Sequence, residues 1–371
     1  MIVGVLGAGQ LGRMLALAGY PLGLQFRFFD HDAHAPAGQV GPLVVGEFQD
    51  NAALDRFADG LSACTLEFEN VPVSAVRRVA GRVPTFPPGE ALATAQDRGL
   101  EKACFTALGI PTTRYELVDS RDALAAAVAR IGSPCVVKSR RMGYDGKGQA
   151  VVRGTTPDEL DGAWKAVSGQ PSIVEEFIAF DREVSIIGAR GRDGVCAFFP
   201  MARNHHEGGI LRVSRAYEGE VPEAVQRAAE SALRKVMDHF GYVGVLTIEF
   251  FEQAGALIAN EMAPRVHNSG HWTIEGASCS QFELHLRAVC GLPMHAPRVR
   301  RASAMVNLIG TNPPLERLAA VDGARVHLYG KPARPGRKIG HVTLTGDDAA
   351  GVESGVARLL AMVAEEQKRT G

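Results

Sequence analysis

Two glutamates and the basic turn that follows them carry the clearest chemical signal in this chain. Glu249 stands in Val245-Leu246-Thr247-Ile248-Glu249-Phe250-Phe251, and Glu261 in Leu257-Ile258-Ala259-Asn260-Glu261-Met262. The short Gln253-Ala254-Gly255 turn lies between them. Apolar runs flanking a Gly-containing turn predict a β-hairpin. Both glutamates sit about equally far from the turn, so antiparallel pairing sets them opposite each other on one face. Facing carboxylates repel. A hard cation such as Mg2+ removes that repulsion, and carboxylate plus phosphate oxygen is its preferred setting. Arg265 and His267 follow at once and add a guanidinium and an imidazole. The set suits a site that holds a metal–nucleotide against a second, anionic reactant. Two solvated strand-edge carboxylates are the plainer alternative.

A second set of residues is fit to bind phosphate. Val136-Val137-Lys138 ends a strand in a lysine, and Gly143-Tyr144-Asp145-Gly146-Lys147-Gly148-Gln149 follows shortly after. Three glycines free the backbone to wrap phosphates, while Lys138 and Lys147 neutralise them. The order is not that of a Walker loop. A basic surface hairpin is the alternative. Ile173-Val174-Glu175-Glu176-Phe177-Ile178 then gives an apolar strand ending in acids, whose backbone could read an adenine edge. Glu183 could accept from ribose hydroxyls. Near the start, Gly7-x-Gly9-x-x-Gly12 follows a strand, and Asp30 ends the next one. That fits the dinucleotide fingerprint. Nicotinamide, another phosphorylated ligand and simple tight packing all remain open for it.

These residues need elements to position them. Strands are expected over 2–6, 25–29, 43–45 and 63–68, alternating with helices, which argues for a parallel sheet with helices on both faces. A Pro-rich break at 83–88 marks the first boundary, and one helix is expected over 91–108. A compact segment follows, with a helix over 121–131, strands over 135–138, 150–152 and 172–176, and a helix over 156–167. Strands over 183–189 and 195–200, helices over 222–240 and 281–290, and the glutamate hairpin complete the pattern. Residues 200–220 and the C-terminal tail are the least informative.

The chain has 371 residues, too many for one ordinary core, and its 46% hydrophobic and 22% charged content is that of a globular enzyme. A net charge of −1 gives no basic surplus for nucleic acid or an anionic membrane. Six scattered cysteines with no Cys-x-x-Cys pair argue against a zinc knuckle or a disulfide framework. No apolar run reaches membrane-spanning length. Met1-Ile2-Val3-Gly4-Val5-Leu6 carries no charged leader. A cytoplasmic protein is expected.

Order and spacing together resemble the ATP-grasp family: a lysine strand, a Gly-rich loop, an acidic hinge strand, and two late metal carboxylates followed by Asn or Arg. The runs 9–14, 67–72, 143–148, 263–273 and 334–341 carry the resemblance further, to the branch of that family that carboxylates aminoimidazole ribonucleotide. It covers nearly the whole chain. The resemblance implies an α/β fold, α+β in part, of three domains. A doubly wound N-terminal domain (1–95) leads to a small lid domain (96–178) and a larger C-terminal domain (179–371). It implies ATP with Mg2+, or Mn2+ in its place, and a homodimer. Arg98, Lys138, Gly143, Tyr144, Asp145, Gly146, Lys147, Gly148 and Gln149 would contact the ATP phosphates. Glu175, Glu176, Phe177 and Ile178 would frame the adenine, Glu183 would hold the ribose, and His206 would lie close by. Glu249, Asn260 and Glu261 would carry the metal. Arg265 and His267 would clamp bicarbonate or carboxyphosphate, with Tyr144 and Asp145 touching the imidazole or the anhydride. Gln10, Leu11, Glu67, Asn268, Lys331 and Arg337 would hold the ribonucleotide, so that the N-terminal fingerprint becomes a ribonucleotide-phosphate site. The Gly-rich loop would close over the nucleotide. A formate-dependent glycinamide ribonucleotide enzyme, an NAD(P)-linked oxidoreductase and a non-catalytic nucleotide sensor are the rivals.

Overall fold

A computed structural model describes residues 1–143 and 148–370. Tyr144, Asp145, Gly146 and Lys147, all expected site residues, lie outside the described residues, as does Gly371.

The first sheet is fully parallel, in the order Leu43–Val45, Gln25–Asp30, Ile2–Leu6, Ala63–Leu66. Its strands are largely apolar because helices bury both faces. Val3, Val5 and Phe28 pack with Leu11 and Leu15 of the Gln10–Gly19 helix on one side. Leu6, Phe29 and Leu66 pack with Leu54, Phe57, Val76 and Val79 on the other. The expected strand limits hold to within two residues.

The second sheet is antiparallel, in the order Tyr115–Val118, Ser172–Glu176, Cys135–Ser139, Gln149–Val152. Side chains alternate across it. Val137 and Val174 join Leu124, Val128 and Leu160 under the Arg121–Ile131 and Pro157–Ala166 helices. Lys138 and Glu175, each one residue further on, fall on the opposite face.

The third sheet has nine strands, all antiparallel. Gly244–Gln253 and Ala256–Ala263 form the expected hairpin at one edge, and Arg182–Arg190 pairs alongside. Ala202–Glu207 and Ile210–Ala216 then connect to Ala302–Ile309, Lys338–Gly346 and Ala324–Leu328. The first two of these fall within 200–220, the region least informative by pattern. Among the described residues, no helix is long and apolar enough to cross a membrane.

One expectation is corrected. The helix expected over 91–108 is two helices, Gly89–Ala95 and Arg98–Ala107. Asp97 breaks it by adopting extended backbone and accepting from the Gly99 and Leu100 amides, which caps the second helix. The C-terminal tail is a 22-residue helix, Ala349–Thr370, whose Val352, Val356, Leu359 and Val363 pack against the far end of the large sheet.

Candidate active site

The hairpin sets Glu249 opposite Glu261 in direct register. The turn at Ala254 and Gly255 has positive φ at both residues, 48° and 79°, the twist that suits a two-residue hairpin. Counting back from it, Glu249 would meet Asn260. A bulge beside Glu249 absorbs one extra residue, Asn260, and brings the glutamates together.

Around Glu261 the charges alternate. Arg98 Nη1 lies 3.0 Å from Glu261 Oε2. Lys138 Nζ donates to Asn260 Oδ1 at 3.3 Å and lies 3.1 Å from Glu175 Oε1. Glu175 is buried between Lys138 and Lys102, with Lys102 Nζ 3.2 Å from Oε2, and it accepts from the Thr113 hydroxyl at 3.0 Å. Burial opposes ionisation of Glu175, but Lys138 and Lys102 outweigh it and hold its carboxyl down at about 2. Burial likewise opposes Glu261, and Arg98 and Lys138 keep it below its ordinary value. Burial pushes Glu249 up to about 7, helped by Glu261 and Glu183 and opposed by His206. Glu183 Oε2 accepts from His206 Nδ1 at 2.8 Å. That bond and the nearby Glu249 raise His206 above its usual value in spite of burial.

The turn after the hairpin is held from several sides. Arg265 Nη2 lies 2.6 Å from Glu69 Oε2, and Arg265 Nη1 donates to the Val266 carbonyl. His267 Nε2 faces Glu249 Oε1 at 3.5 Å. Burial, with Arg265 and Lys338 nearby, holds the His267 imidazole well below its ordinary value, so it is neutral. Asn268 and Asn307 exchange two amide hydrogen bonds of 3.0 and 2.7 Å.

At the N-terminal turn the outcome differs from a phosphate cradle. Glu67 Oε1 accepts from Gly9 N–H at 2.8 Å, and Oε2 from the Leu11 and Gly12 amides at 3.1 Å each. Asp30 Oδ2 accepts from Ala8 N–H at 2.8 Å. Carboxylates of the chain itself therefore take the amides that the dinucleotide fingerprint offers to a pyrophosphate. The glycines serve this close approach: a Cβ on Gly9 would lie 2.5 Å from Glu67 Oε1. Asp30 is likewise engaged with backbone instead of offering its carboxylate to a ribose. These contacts remove the physical basis for the nicotinamide reading, and they leave a phosphate to be held elsewhere. Lys331 reaches across from the C-terminal region to Gln10 Oε1. Arg337 stands just before the Lys338–Gly346 strand and donates to the Pro332 carbonyl at 3.4 Å.

The structure thus gathers Arg98, Lys138, Glu175, Asn260, Glu261, Glu249, Glu183, His206 and His267 at the junction of the second and third sheets. Glu176 is turned to Arg114, 2.7 Å away, and Phe177 and Ile178 lie on the segment leading to Arg182–Arg190. Gly143, Gly148 and Gln149 flank residues 144–147 along the chain beyond Lys138. Gln10, Leu11, Glu67 and Lys331 form a second group around the N-terminal turn. Sequence reading missed Asp97, Glu101, Lys102 and Glu69. Glu101 is buried and accepts from the Met262 amide at 2.6 Å, and burial pushes it up to about 8. Asp97 holds Arg140 and Arg141 with contacts of 2.9 and 3.0 Å, so it anchors the Gly-rich loop. The available signal was spacing: Arg98, Glu101 and Lys102 share one helix face.

Two opposed carboxylates beside two cations fit Mg2+ as it is held next to phosphates, with few protein ligands. Among the described residues no three His, Cys, Asp or Glu converge as a self-sufficient metal cage. Phosphate oxygens or water would have to complete the set.

This arrangement defines an ATP-grasp chain. Residues 103–282 match the ATP-grasp domain, 1–96 the ribonucleotide synthetase preATP-grasp domain, and 303–354 the phosphoribosylaminoimidazole carboxylase C-terminal domain. The chain is 46% identical over 363 residues to the N5-carboxyaminoimidazole ribonucleotide synthase of Pseudomonas aeruginosa, covering 98% of this chain and 99% of that one. The crystal structure of N5-carboxyaminoimidazole ribonucleotide synthetase from Thermus thermophilus superposes with a TM-score of 0.91 at 54% identity, over 98% of each chain. The Aspergillus clavatus synthase, crystallised with ADP and 5-aminoimidazole ribonucleotide, superposes with a TM-score of 0.91 at 31% identity, over 98% of each chain. The chain belongs to the N5-carboxyaminoimidazole ribonucleotide synthase family.

Proposed function

We propose that this enzyme is a ligase that couples ATP hydrolysis to carboxylation of 5-aminoimidazole ribonucleotide by bicarbonate. The products are 5-(carboxyamino)imidazole ribonucleotide, ADP and phosphate, within purine biosynthesis. The observation that carries this reading is the meeting of Arg98 and Lys138 with the Glu249–Glu261 pair, and of that pair with His267. Phosphate-binding cations, metal-type carboxylates and a turn fit to bind an anion stand together there.

ATP lies between the second sheet and the hairpin, with its phosphates toward Arg98, Lys138 and the 143–149 loop. Glu175 also holds Lys138 in place through their ion pair. Glu176, Phe177 and Ile178 line the base, while Glu183, steadied by His206, meets the ribose. Glu249, Asn260 and Glu261 would hold Mg2+, which when bound spreads the charge of the β- and γ-phosphates. Mn2+ has the same oxygen preference.

Bicarbonate carbon is a poor electrophile. An oxygen of bicarbonate attacks the γ-phosphorus, the bond from that phosphorus to the β,γ-bridging oxygen breaks, and ADP leaves with the electron pair. Carboxyphosphate results. The exocyclic amine of the ribonucleotide then attacks its carbon, or CO2 released from it, phosphate departs, and the amine gives up a proton. Arg265 donates to the oxyanion through the guanidinium N–H groups that its Glu69 and Val266 bonds leave over. Its ion pair with Glu69 fixes it in the site. Both anions must be held in line and shielded from water. The ribonucleotide lies across the N-terminal turn, its phosphate on Lys331 and Arg337, with Gln10, Leu11, Glu67 and Asn268 around the ribose and base. Tyr144 and Asp145 would touch the imidazole or the anhydride. The chain divides into domains over 1–95, 96–178 and 179–371, and the enzyme works as a cytoplasmic homodimer.

ADP release with Mg-ATP tests this reading. Strong stimulation by aminoimidazole ribonucleotide together with bicarbonate is the expected result. Activity with glycinamide ribonucleotide and formate instead would overturn the substrate assignment.

A further inference from the structure

His267 has a surrounding of its own that the reaction scheme leaves unused. Its Nδ1 receives the backbone N–H of Ser269 at 3.3 Å, so the ring caps the short 268–270 turn as an asparagine side chain would. A backbone N–H can only donate, so Nδ1 presents its lone pair. The Ser269 hydroxyl, 2.8 Å away, must then donate to the same lone pair and is left free to accept. It accepts from the Ser185 hydroxyl at 2.8 Å. Ser185 Oγ accepts from Asn204 Nδ2 at 3.0 Å, and Asn204 Oδ1 accepts from the Ser214 hydroxyl at 2.8 Å. All four side chains in this run are buried. Every bond runs in the same sense, toward His267, and such aligned chains strengthen one another in a dry interior. Buried Gln281 clamps the histidine backbone as well, accepting from its N–H at 2.8 Å and donating to its carbonyl at 2.6 Å.

With the lone pair on Nδ1, the ring proton sits on Nε2. Glu249 Oε1 lies 3.5 Å from Nε2, too far to satisfy that N–H. An oxygen arriving between the metal carboxylates and Arg265 would complete the bond.

We infer that the Ser269 backbone N–H, backed by the Ser214–Asn204–Ser185–Ser269 run, locks His267 in the Nε2–H tautomer, making it a hydrogen-bond donor to the bicarbonate or carboxyphosphate oxygen and not the base that takes the amine proton. Ser269, Ser185, Asn204 and Ser214 are positioning residues that act through the imidazole. This rests on the placing of the anion at Arg265 and His267 proposed above.

The tautomer can be read directly. In full-length protein carrying 15N-labelled histidine and saturated with Mg-ADP, the His267 signals, identified by their loss in His267→Gln, should show a pyridine-type Nδ1 and a pyrrole-type Nε2. A pyrrole-type Nδ1 would overturn the inference, whatever the activity. In Ser269→Ala the 3.3 Å backbone N–H alone remains on Nδ1, so both signals should move part of the way toward the tautomer average, and kcat should fall about tenfold with the ATP KM unchanged. Unmoved signals in that variant would remove the hydroxyl run from the account. His267→Gln keeps an N–H donor near the Nε2 position, whereas His267→Asn keeps only the cap. The glutamine variant should be faster by about tenfold or more. Equal loss in both variants would favour a proton acceptor and contradict the inference. A wild-type enzyme without ribonucleotide-dependent turnover would instead count against the proposed function, and the tautomer reading would still stand on its own.

Discussion

Glu261 is where the metal-type carboxylate and the phosphate-binding cations meet. Its carboxylate pairs with Arg98 and faces Glu249 across the hairpin. Glu261→Gln keeps the shape and removes the charge. We expect turnover to fall by at least about a hundredfold while the protein stays folded in thermal melts. Near-normal turnover would remove Glu261 from the metal site. Lys331 should behave differently, because it belongs to the ribonucleotide end of the site. Lys331→Ala should raise the ribonucleotide KM by about tenfold or more, the cost of one charge-assisted hydrogen bond, with little change in the ATP KM. An unchanged ribonucleotide KM would sink that assignment. Glu249 supplies a pH signature. Burial raises its carboxyl from 4.5 to about 7, so in this window the folded protein keeps a proton that the unfolded chain has lost. Its contribution is full below the unfolded value and disappears as pH rises through about 7. Metal-free enzyme should therefore lose stability as pH rises across the window. Added Mg2+ must displace that proton, so its stabilising effect on Tm should grow with pH. A Mg2+ effect that shrinks with rising pH would contradict the pairing.

The hairpin and the Arg98–Ala107 helix show what was legible from sequence at the level of elements. Apolar runs around the Gln253-Ala254-Gly255 turn foretold two paired strands, and the bulge sets their glutamates opposite each other. The bulge at Asn260 was invisible, because a one-residue slip leaves apolar periodicity intact while deciding which side chains face each other. The split of the 91–108 helix was legible in principle, since Asp97 is a good cap, but apolar spacing on both sides masked it. The N-terminal fingerprint was read correctly as a strand, a tight turn and a helix. The anion it holds was not foretold: Glu67 comes from a distant strand end, and only the folded sheet brings it to Gly9. Strands in 200–220 carry His, Arg and Asn that serve the site, and this polar content hid their periodicity. Asp97 also ties its helix to the Gly-rich loop through Arg140 and Arg141. Asp97→Ala should lower Tm, the cap alone contributing about 1 kcal/mol. It should also raise the ATP KM and leave the ribonucleotide KM unchanged. Equal changes in both constants would argue that the helix, and not the loop, is what Asp97 supports.

At the scale of the whole molecule, three sheets meet around one site, and the chain returns from its C-terminal region to the N-terminal turn through Lys331 and Gln10. The resemblance carried by 263–273 and 334–341 made this architecture legible. Composition alone gave only a globular protein with more than one core. The central claim is that bicarbonate is phosphorylated before the amine reacts. It is tested most directly by following oxygen from 18O-labelled bicarbonate during turnover with Mg-ATP and aminoimidazole ribonucleotide. Transfer of one labelled oxygen into each inorganic phosphate released is the predicted result, because the bridging oxygen of carboxyphosphate leaves with phosphorus. Phosphate that carries oxygen only from ATP and solvent would contradict the account.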